Sequence, residues 1–129
     1  MTLINNYRTV FYITFVVITL LALLPQDQAV LTTGWDKTNH LLAFFVLALL
    51  IDRSYPHLSL WRIKLPLLLV YGLWIELLQW FIPGRFFSGF DVLADGLGLL
   101  IYALLVVPVG YVLSKLELKL SLLNKVSGS

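Results

Sequence analysis

Long apolar stretches separated by short polar connections make up most of the chain. A helix that crosses the hydrocarbon layer of a membrane needs about 20 mostly apolar residues. Four stretches approach that length, over about residues 7–24, 34–51, 65–82 and 90–113. Because lipid offers no hydrogen-bond partner to an open backbone, such stretches are helical. The pattern therefore predicts an all-α, polytopic membrane protein, a four-transmembrane-helix bundle with short connections.

The second stretch is the weakest of the four by hydropathy. Its uninterrupted apolar core, Leu41 to Ile51, is too short to span. It reaches spanning length only if it begins near Gly34 and carries polar residues in its first turns. After the fourth stretch, which Pro108 is expected to kink, leucines alternate with polar residues over the tail, residues 114–129. That alternation is a strand-like period, and a short interfacial helix is the alternative.

The composition supports a membrane location for a single domain over residues 1–129. Hydrophobic residues make up 60% of the chain and charged residues 12%, about half the charged fraction of a soluble domain. The absence of cysteine excludes disulfides and thiolate metal sites, and a net charge of +2 is too small to suggest nucleic acid. Arg8 before the first stretch resembles the start of a signal peptide, but no small-x-small cleavage site follows, so we expect a retained span.

Basic residues predict the orientation of the four spans. Seven of them fall on the side that holds both termini: Arg8, Arg53, Arg62, Lys64, Lys115, Lys119 and Lys125. Only Lys37 and Arg85 fall on the other side. Since cytoplasmic loops carry the excess of Lys and Arg, both termini are predicted to be cytoplasmic, in the inner (cytoplasmic) membrane. Asp52, Arg53 and Glu117 are then expected to be solvated ends, and His57 to have no specific role.

Polar residues gather at the predicted outer end of the bundle. The set comprises Asp36, Lys37, His40, Glu76, Gln79, Arg85, Asp91 and Asp95. Alternating helix direction brings all eight to the same depth. Ionisable groups in membrane segments are costly, so they face the bundle interior, pair, or line a wet cavity. The set is therefore predicted to be a polar cluster with a binding role, and Gly72, Ala94 and Gly98 are small enough to let the helices approach.

Each of these residues also has a plainer interpretation. Asp36 follows Thr33 by three residues and Asp91 follows Ser88 by three; both pairs match a capping box, an equal alternative to a ligand role. Lys37 is expected to extend toward the lipid head groups, and a hydrogen-bonded helix contact is an equal alternative for His40.

Glu76 lies too deep for capping to explain it, and Asp95 is a full turn beyond Asp91. We therefore expect Glu76 to pair with His40 or Arg85, with Asp95 nearby.

The order and spacing of these residues resemble one known family. The motifs Asp36-Lys37-x-x-His40-x-x-x-Phe44, Glu76-x-x-Gln79, Pro83-Gly84-Arg85 and Asp91-x-x-x-Asp95-x-x-Gly98 resemble the pattern of the VanZ-like membrane proteins. The resemblance covers about residues 8–113. One departure is Asp95, which stands where the family is expected to carry Asn and adds a charge.

The resemblance implies a bacterial protein of the cell envelope. The family takes its name from an accessory protein of glycopeptide-antibiotic resistance that lowers susceptibility to teicoplanin, and most members lie outside resistance clusters.

Binding is the function that the sequence favours. The outer cluster is expected to recognise the head group of an amphiphilic envelope lipid or of a lipid-tailed antibiotic. Arg85 would hold an anionic group, and Glu76 or Asp95 a cationic or hydroxyl group. The expected partners are membrane lipids and this ligand, with no cofactor, no metal and no nucleic acid; the oligomeric state is left open.

Three alternatives come from other classes of function. A structural or assembly subunit would use the charges only to lock its helices together. A membrane-embedded enzyme would use His40 with the carboxylates as acid and base or as metal ligands, although no nucleophile motif accompanies them. A proton-coupled transporter would need a relay across the membrane, and no comparable set of charges is expected near the cytoplasmic end.

Overall fold

A computed structural model describes residues 2–25 and 36–128, except for the side chain of Asp36. Every secondary-structure element in these residues is helical: α1 (Leu3–Ala22), α2 (Asp36–Ser54), α3 (Leu65–Trp80), α4 (Gly89–Ile101) and α5 (Val107–Ser127). Two π-helical turns, Leu60–Lys64 and Tyr102–Val106, lead into α3 and α5. The described chain therefore forms four continuous helices, and the predicted all-α fold is confirmed.

Three of these four helices are long and apolar enough to cross a membrane. They are Leu3–Ala22, Leu60–Trp80 and Gly89–Ser127. The helix α2 does not qualify within the described residues, because its terminal turns carry four charged residues, Asp36, Lys37, Asp52 and Arg53. The predicted start of this span at Gly34 lies outside the described residues. The chain is thus a helical membrane protein with three candidate spans, and the fourth span stays a prediction.

Side-chain contacts at the helix ends show that the helices alternate in direction. Arg8 near the start of α1 donates from Nε to the Ser54 carbonyl at the end of α2, over 3.0 Å. The end of α1 meets the end of α3, where Gln79 Nε2 donates to the Ala22 carbonyl over 2.9 Å. Thus α1 runs parallel to α3 and antiparallel to α2. His40 in the first turns of α2 contacts Asp95 in α4, so α2 and α4 run parallel.

The core of the bundle is centred on α2, which packs most extensively against α4 and next against α1. Its residues Phe44, Leu47 and Ala48 are buried. A Cβ added to Gly98 of α4 would overlap the carbonyl oxygen of Leu41, so glycine is what lets these two helices approach so closely. The low mean hydropathy of α2 comes from the polar residues of its terminal turns, since residues 41–51 at its centre are all apolar.

The two π-helical turns each lie just before a proline. The amide of Leu65 donates to the Leu60 carbonyl, and the amide of Val107 to the Tyr102 carbonyl. Pro66 and Pro108 follow one residue later. A proline ring clashes with the carbonyl four residues before it, and a π turn is one way in which a helix accommodates such a break. The irregularity expected at Pro108 is therefore a π turn.

The tail is helical, so the strand-like interpretation of its alternating leucines is wrong. Residues 107–127 form α5, which continues α4 and buries none of its side chains. Leu, Lys and Glu are all good helix formers, and Val126 is the only β-branched residue in residues 114–127. The helix Gly89–Ser127 has 39 residues and is therefore about 58 Å long at 1.5 Å per residue. That length is roughly twice the hydrocarbon thickness of a bilayer.

Candidate functional site

Four ionisable side chains from three helices converge at one end of the bundle. They are His40 of α2, Glu76 of α3, and Asp91 and Asp95 of α4, which we call the His40 cluster. His40 Nε2 lies 3.7 Å from Glu76 Oε1 and 3.7 Å from Asp91 Oδ2. Glu76 and Asp95 are fully buried, whereas the side chains of His40 and Asp91 are 11% and 9% exposed. The cluster therefore reaches the surface only through the small exposed parts of His40 and Asp91.

A hydrogen bond to Asp95 sets the orientation of the His40 ring. His40 Nδ1 and Asp95 Oδ1 are 2.8 Å apart. A carboxylate can only accept, so Nδ1 carries the proton and donates it. The other ring nitrogen, Nε2, then faces Glu76 and Asp91. Gly72 of α3 makes room for this arrangement, because a Cβ there would lie 2.5 Å from Asp95 Oδ2.

Ser88 connects the start of α4 to Glu76. Its hydroxyl accepts from the Asp91 amide over 3.3 Å, which is the N-cap that the sequence predicts. The reciprocal bond of a capping box is absent, since the Ser88 amide donates to Glu76 Oε2 over 3.0 Å instead. The Asp91 carboxylate is thereby left to face His40 and Lys37, whose Nζ lies 4.0 Å from Asp91 Oδ1. The other predicted box, Thr33 with Asp36, lies outside the described residues.

Two carboxylate oxygens of the cluster are buried without a hydrogen-bond partner in the described residues. They are Glu76 Oε1 and Asp95 Oδ2. A buried polar atom left unpaired costs about 1–3 kcal/mol, so such atoms are uncommon in folded proteins. The cluster combines three carboxylates with one imidazole, and the nearby Lys37 is 60% exposed at its edge. The arrangement is rich in acceptors, which suits a cation or a hydrogen-bond donor.

Two residues of the predicted set lie elsewhere. Gln79 donates to the Ala22 carbonyl, and Arg85 Nε donates to the Leu24 carbonyl over 2.9 Å. The Ala22 carbonyl is in the last turn of α1, where carbonyl groups lack intrahelical partners, and Leu24 lies just beyond that turn. Of the two partners expected for Glu76, His40 or Arg85, the structure places His40 beside it, at 3.7 Å. Nothing is described of the Asp36 side chain.

A second polar group, which we call the Asp52 cluster, lies at the opposite end of the bundle. Lys64 Nζ is 2.6 Å from Asp52 Oδ1, and the Tyr102 hydroxyl donates to Asp52 Oδ2 over 2.7 Å. Lys64 is only 1% exposed. The expectation of a solvated Asp52, with no comparable charges at this end, is thus wrong. The cluster joins the end of α2 to the start of α3 and to the π turn after α4.

The two clusters are separated by apolar packing. Residues 41–51 of α2 are all apolar, and Phe44, Leu47, Ala48 and Leu99 belong to the buried core between them. These residues offer no chain of polar groups along α2, as a proton relay requires. The fold and the His40 cluster define a class, a helical membrane protein with an acidic site at one end of its bundle. A comparison of the chain with family models, curated proteins and solved structures finds no match.

Proposed function

We propose that the chain is a four-span, VanZ-like protein of the bacterial inner membrane with both termini in the cytoplasm. Support for the fourth span comes from α2, whose 19 residues make a helix about 28 Å long, close to the hydrocarbon thickness of about 30 Å. Its alternation in direction with α1 and α3 adds to this support. The seven basic residues on one side, against two on the other, favour the orientation.

In this proposal the His40 cluster binds the head group of an amphiphile from the outer leaflet. The ligand is an envelope lipid, such as a lipid-linked cell-wall precursor, or a lipid-tailed, glycopeptide-type antibiotic. The observation that carries the proposal is the orphaned Glu76 Oε1, buried next to His40 and Asp91, whose side chains are slightly exposed. A membrane protein that keeps an unpaired acceptor beside slightly exposed side chains is well placed to bind a donor from outside.

Lys37 and the exposed face of α4 complete the proposed site. Since Arg85 donates to the Leu24 carbonyl, the role of anion ligand passes to Lys37, whose ammonium is at the edge of the cluster. The apolar tail of the ligand would lie along exposed side chains of α4 such as Leu93 and Leu97. Hydroxyl or ammonium groups of the head would then meet the acceptors of the cluster.

Binding can be tested on the protein in lipid nanodiscs, with a lipid-linked cell-wall precursor and teicoplanin as probes. The variants are Asp91→Asn and Lys37→Gln, and the matched controls are Glu117→Gln and Lys115→Gln on the exposed α5. A lost charge-assisted hydrogen bond is worth about 1.5–3 kcal/mol, so each site variant should bind about 10- to 100-fold more weakly. Affinities equal to those of the controls for both probes would refute the proposal.

A structural role is the second candidate, favoured by the close His40–Asp95 contact and by the buried Lys64–Asp52 pair. If the charges only lock the helices, Glu76→Gln should lower the yield of folded protein and leave no separate binding defect. If the cluster is a site, this variant should fold normally, because an amide oxygen can still accept from the Ser88 backbone. Folded yield and binding, measured on the same preparation, separate the two candidates.

A further inference from the structure

Three atoms of the His40 cluster enclose a space of the size that a metal ion needs. One ligand atom from each of His40, Glu76 and Asp91 lies within 4.8 Å of the other two. His40 Nε2 is 3.7 Å from Glu76 Oε1 and 3.7 Å from Asp91 Oδ2. A point equidistant from three atoms so separated lies about 2.4 Å or less from each, and zinc–nitrogen and zinc–oxygen bonds measure about 2.0–2.2 Å. A shift of a few tenths of an ångström would bring all three into bonding range.

The ring of His40 is already held in the orientation that a metal ligand requires. Asp95 accepts the proton of Nδ1 over 2.8 Å, which turns Nε2 toward the carboxylates of Glu76 and Asp91. Histidines that bind metals almost always donate their other ring N–H to a carboxylate or a carbonyl, and this bond fixes the tautomer. Asp95 is thus a positioning residue, one step removed from the enclosed space.

Glu76 supplies an independent indication of a ligand. Its side chain is fully buried, and Oε1 has no hydrogen-bond partner in the described residues although it points at His40 Nε2. The other oxygen, Oε2, accepts from the Ser88 backbone amide and so fixes the plane of the carboxylate. A helix-locking role does not require this orphaned oxygen, whereas a bound cation would satisfy it.

We propose that His40 Nε2, Glu76 Oε1 and Asp91 Oδ2 bind a divalent transition-metal ion, with Asp95 orienting His40. One imidazole and two carboxylates suit Zn²⁺ best, and Mn²⁺ next. Three protein ligands leave a coordination position open, and two of the three, His40 and Asp91, keep some exposed side-chain surface. From the sequence no metal is expected, and ligation by His40 and the carboxylates enters only as part of the enzyme alternative.

This inference goes beyond head-group binding and does not depend on it. A bound metal would take the orphaned oxygen of Glu76, which in the metal-free protein is the acceptor that the proposed function offers to a head-group donor. A head group bound at the same end of the bundle would then meet the open coordination position and Lys37.

Metal binding by the full chain, purified without a histidine tag and treated with a chelator, tests the proposal. Zn²⁺ and Mn²⁺ are each added alone, and bound metal is measured by equilibrium dialysis with elemental analysis. We expect one equivalent of metal per chain. Loss of a ligand in Glu76→Gln or Asp91→Asn should weaken binding at least 10-fold, and Asp95→Asn should weaken it about 10- to 100-fold.

Matched control variants show whether a loss of metal binding is specific to the His40 cluster. Glu117→Gln on the exposed α5 and His57→Gln in the loop after α2 should bind as the parent does, and circular dichroism should show equal helix content in every variant. The Co²⁺-loaded parent should also show the visible absorption of a nitrogen- and oxygen-ligated ion. Less than stoichiometric metal on the parent, or undiminished binding in both Glu76→Gln and Asp91→Asn, would overturn the proposal.

The head-group proposal and the metal proposal can be refuted independently of each other. If the parent binds metal and the chelated protein still binds the lipid probes, both stand and head-group binding does not need the metal. If the lipid probes bind and no metal does, only the metal site is refuted.

Discussion

Gly98 lies where α4 approaches the backbone of α2, so one added methyl group there tests how the bundle is held together. A Cβ at this position would overlap the Leu41 carbonyl oxygen and come within 3.1 Å of the Phe45 amide nitrogen. Both neighbours are backbone atoms, which cannot move aside by rotating a side chain. Overpacking of this kind costs about 1–3 kcal/mol, against a gain of up to about 1 kcal/mol in helix propensity from Gly to Ala.

The same continuous helix provides two controls for Gly98→Ala. A Cβ at Gly96 would meet only Leu69 Cδ1 at 3.8 Å, and a Cβ at Gly110 would meet nothing within 4 Å. Unfolding in detergent, followed by circular dichroism, should show Gly98→Ala destabilised relative to the parent and the two control variants unchanged or stabilised. If Gly98→Ala were as stable as Gly96→Ala, the close packing of α2 on α4 would be refuted.

Two more predictions concern the opposite end of the bundle and its orientation. Lys64→Gln should destabilise the protein by about 1.5–3 kcal/mol, because it removes the charge-assisted hydrogen bond from a buried ammonium to the partly exposed Asp52. Lys115→Gln on α5 should change stability by less than about 0.5 kcal/mol, and equal unfolding curves would contradict the Lys64–Asp52 contact. Since the chain has no native cysteine, single cysteines can report topology. A membrane-impermeant maleimide should label Phe87→Cys on intact cells and His57→Cys only after permeabilisation, and the reverse pattern would overturn the orientation.

The sequence predicts which residues of the candidate site lie at the same depth in the membrane. Apolar runs fix where helices lie, and alternating direction then brings His40, Glu76, Asp91 and Asp95 to one end. Spacing within each helix adds which residues share a face. These inferences need only the period of a helix and the cost of a charge in lipid.

What the sequence did not reveal depends on partners that are distant along the chain. Arg85 looks like an anion ligand, yet its Nε donates to the Leu24 carbonyl just after the end of α1. Lys64 and Tyr102 look like an interfacial cation and a membrane aromatic, and only the packed bundle brings them both to Asp52. The tail was ambiguous because leucine at every second position fits a strand, while its helix formers fit α5.

The length of the helix that α4 and α5 share has a mechanical consequence. Its first turns carry Asp91 and Asp95, and its last turns end about 48 Å beyond Asp95 at 1.5 Å per residue. A tilt of about ten degrees at the His40 cluster would displace the far end by roughly 8 Å, if the helix moves as one arm. A tilt of this helix at Asp91 and Asp95 would therefore move the leucine-rich surface of α5, beyond the opposite end of the bundle.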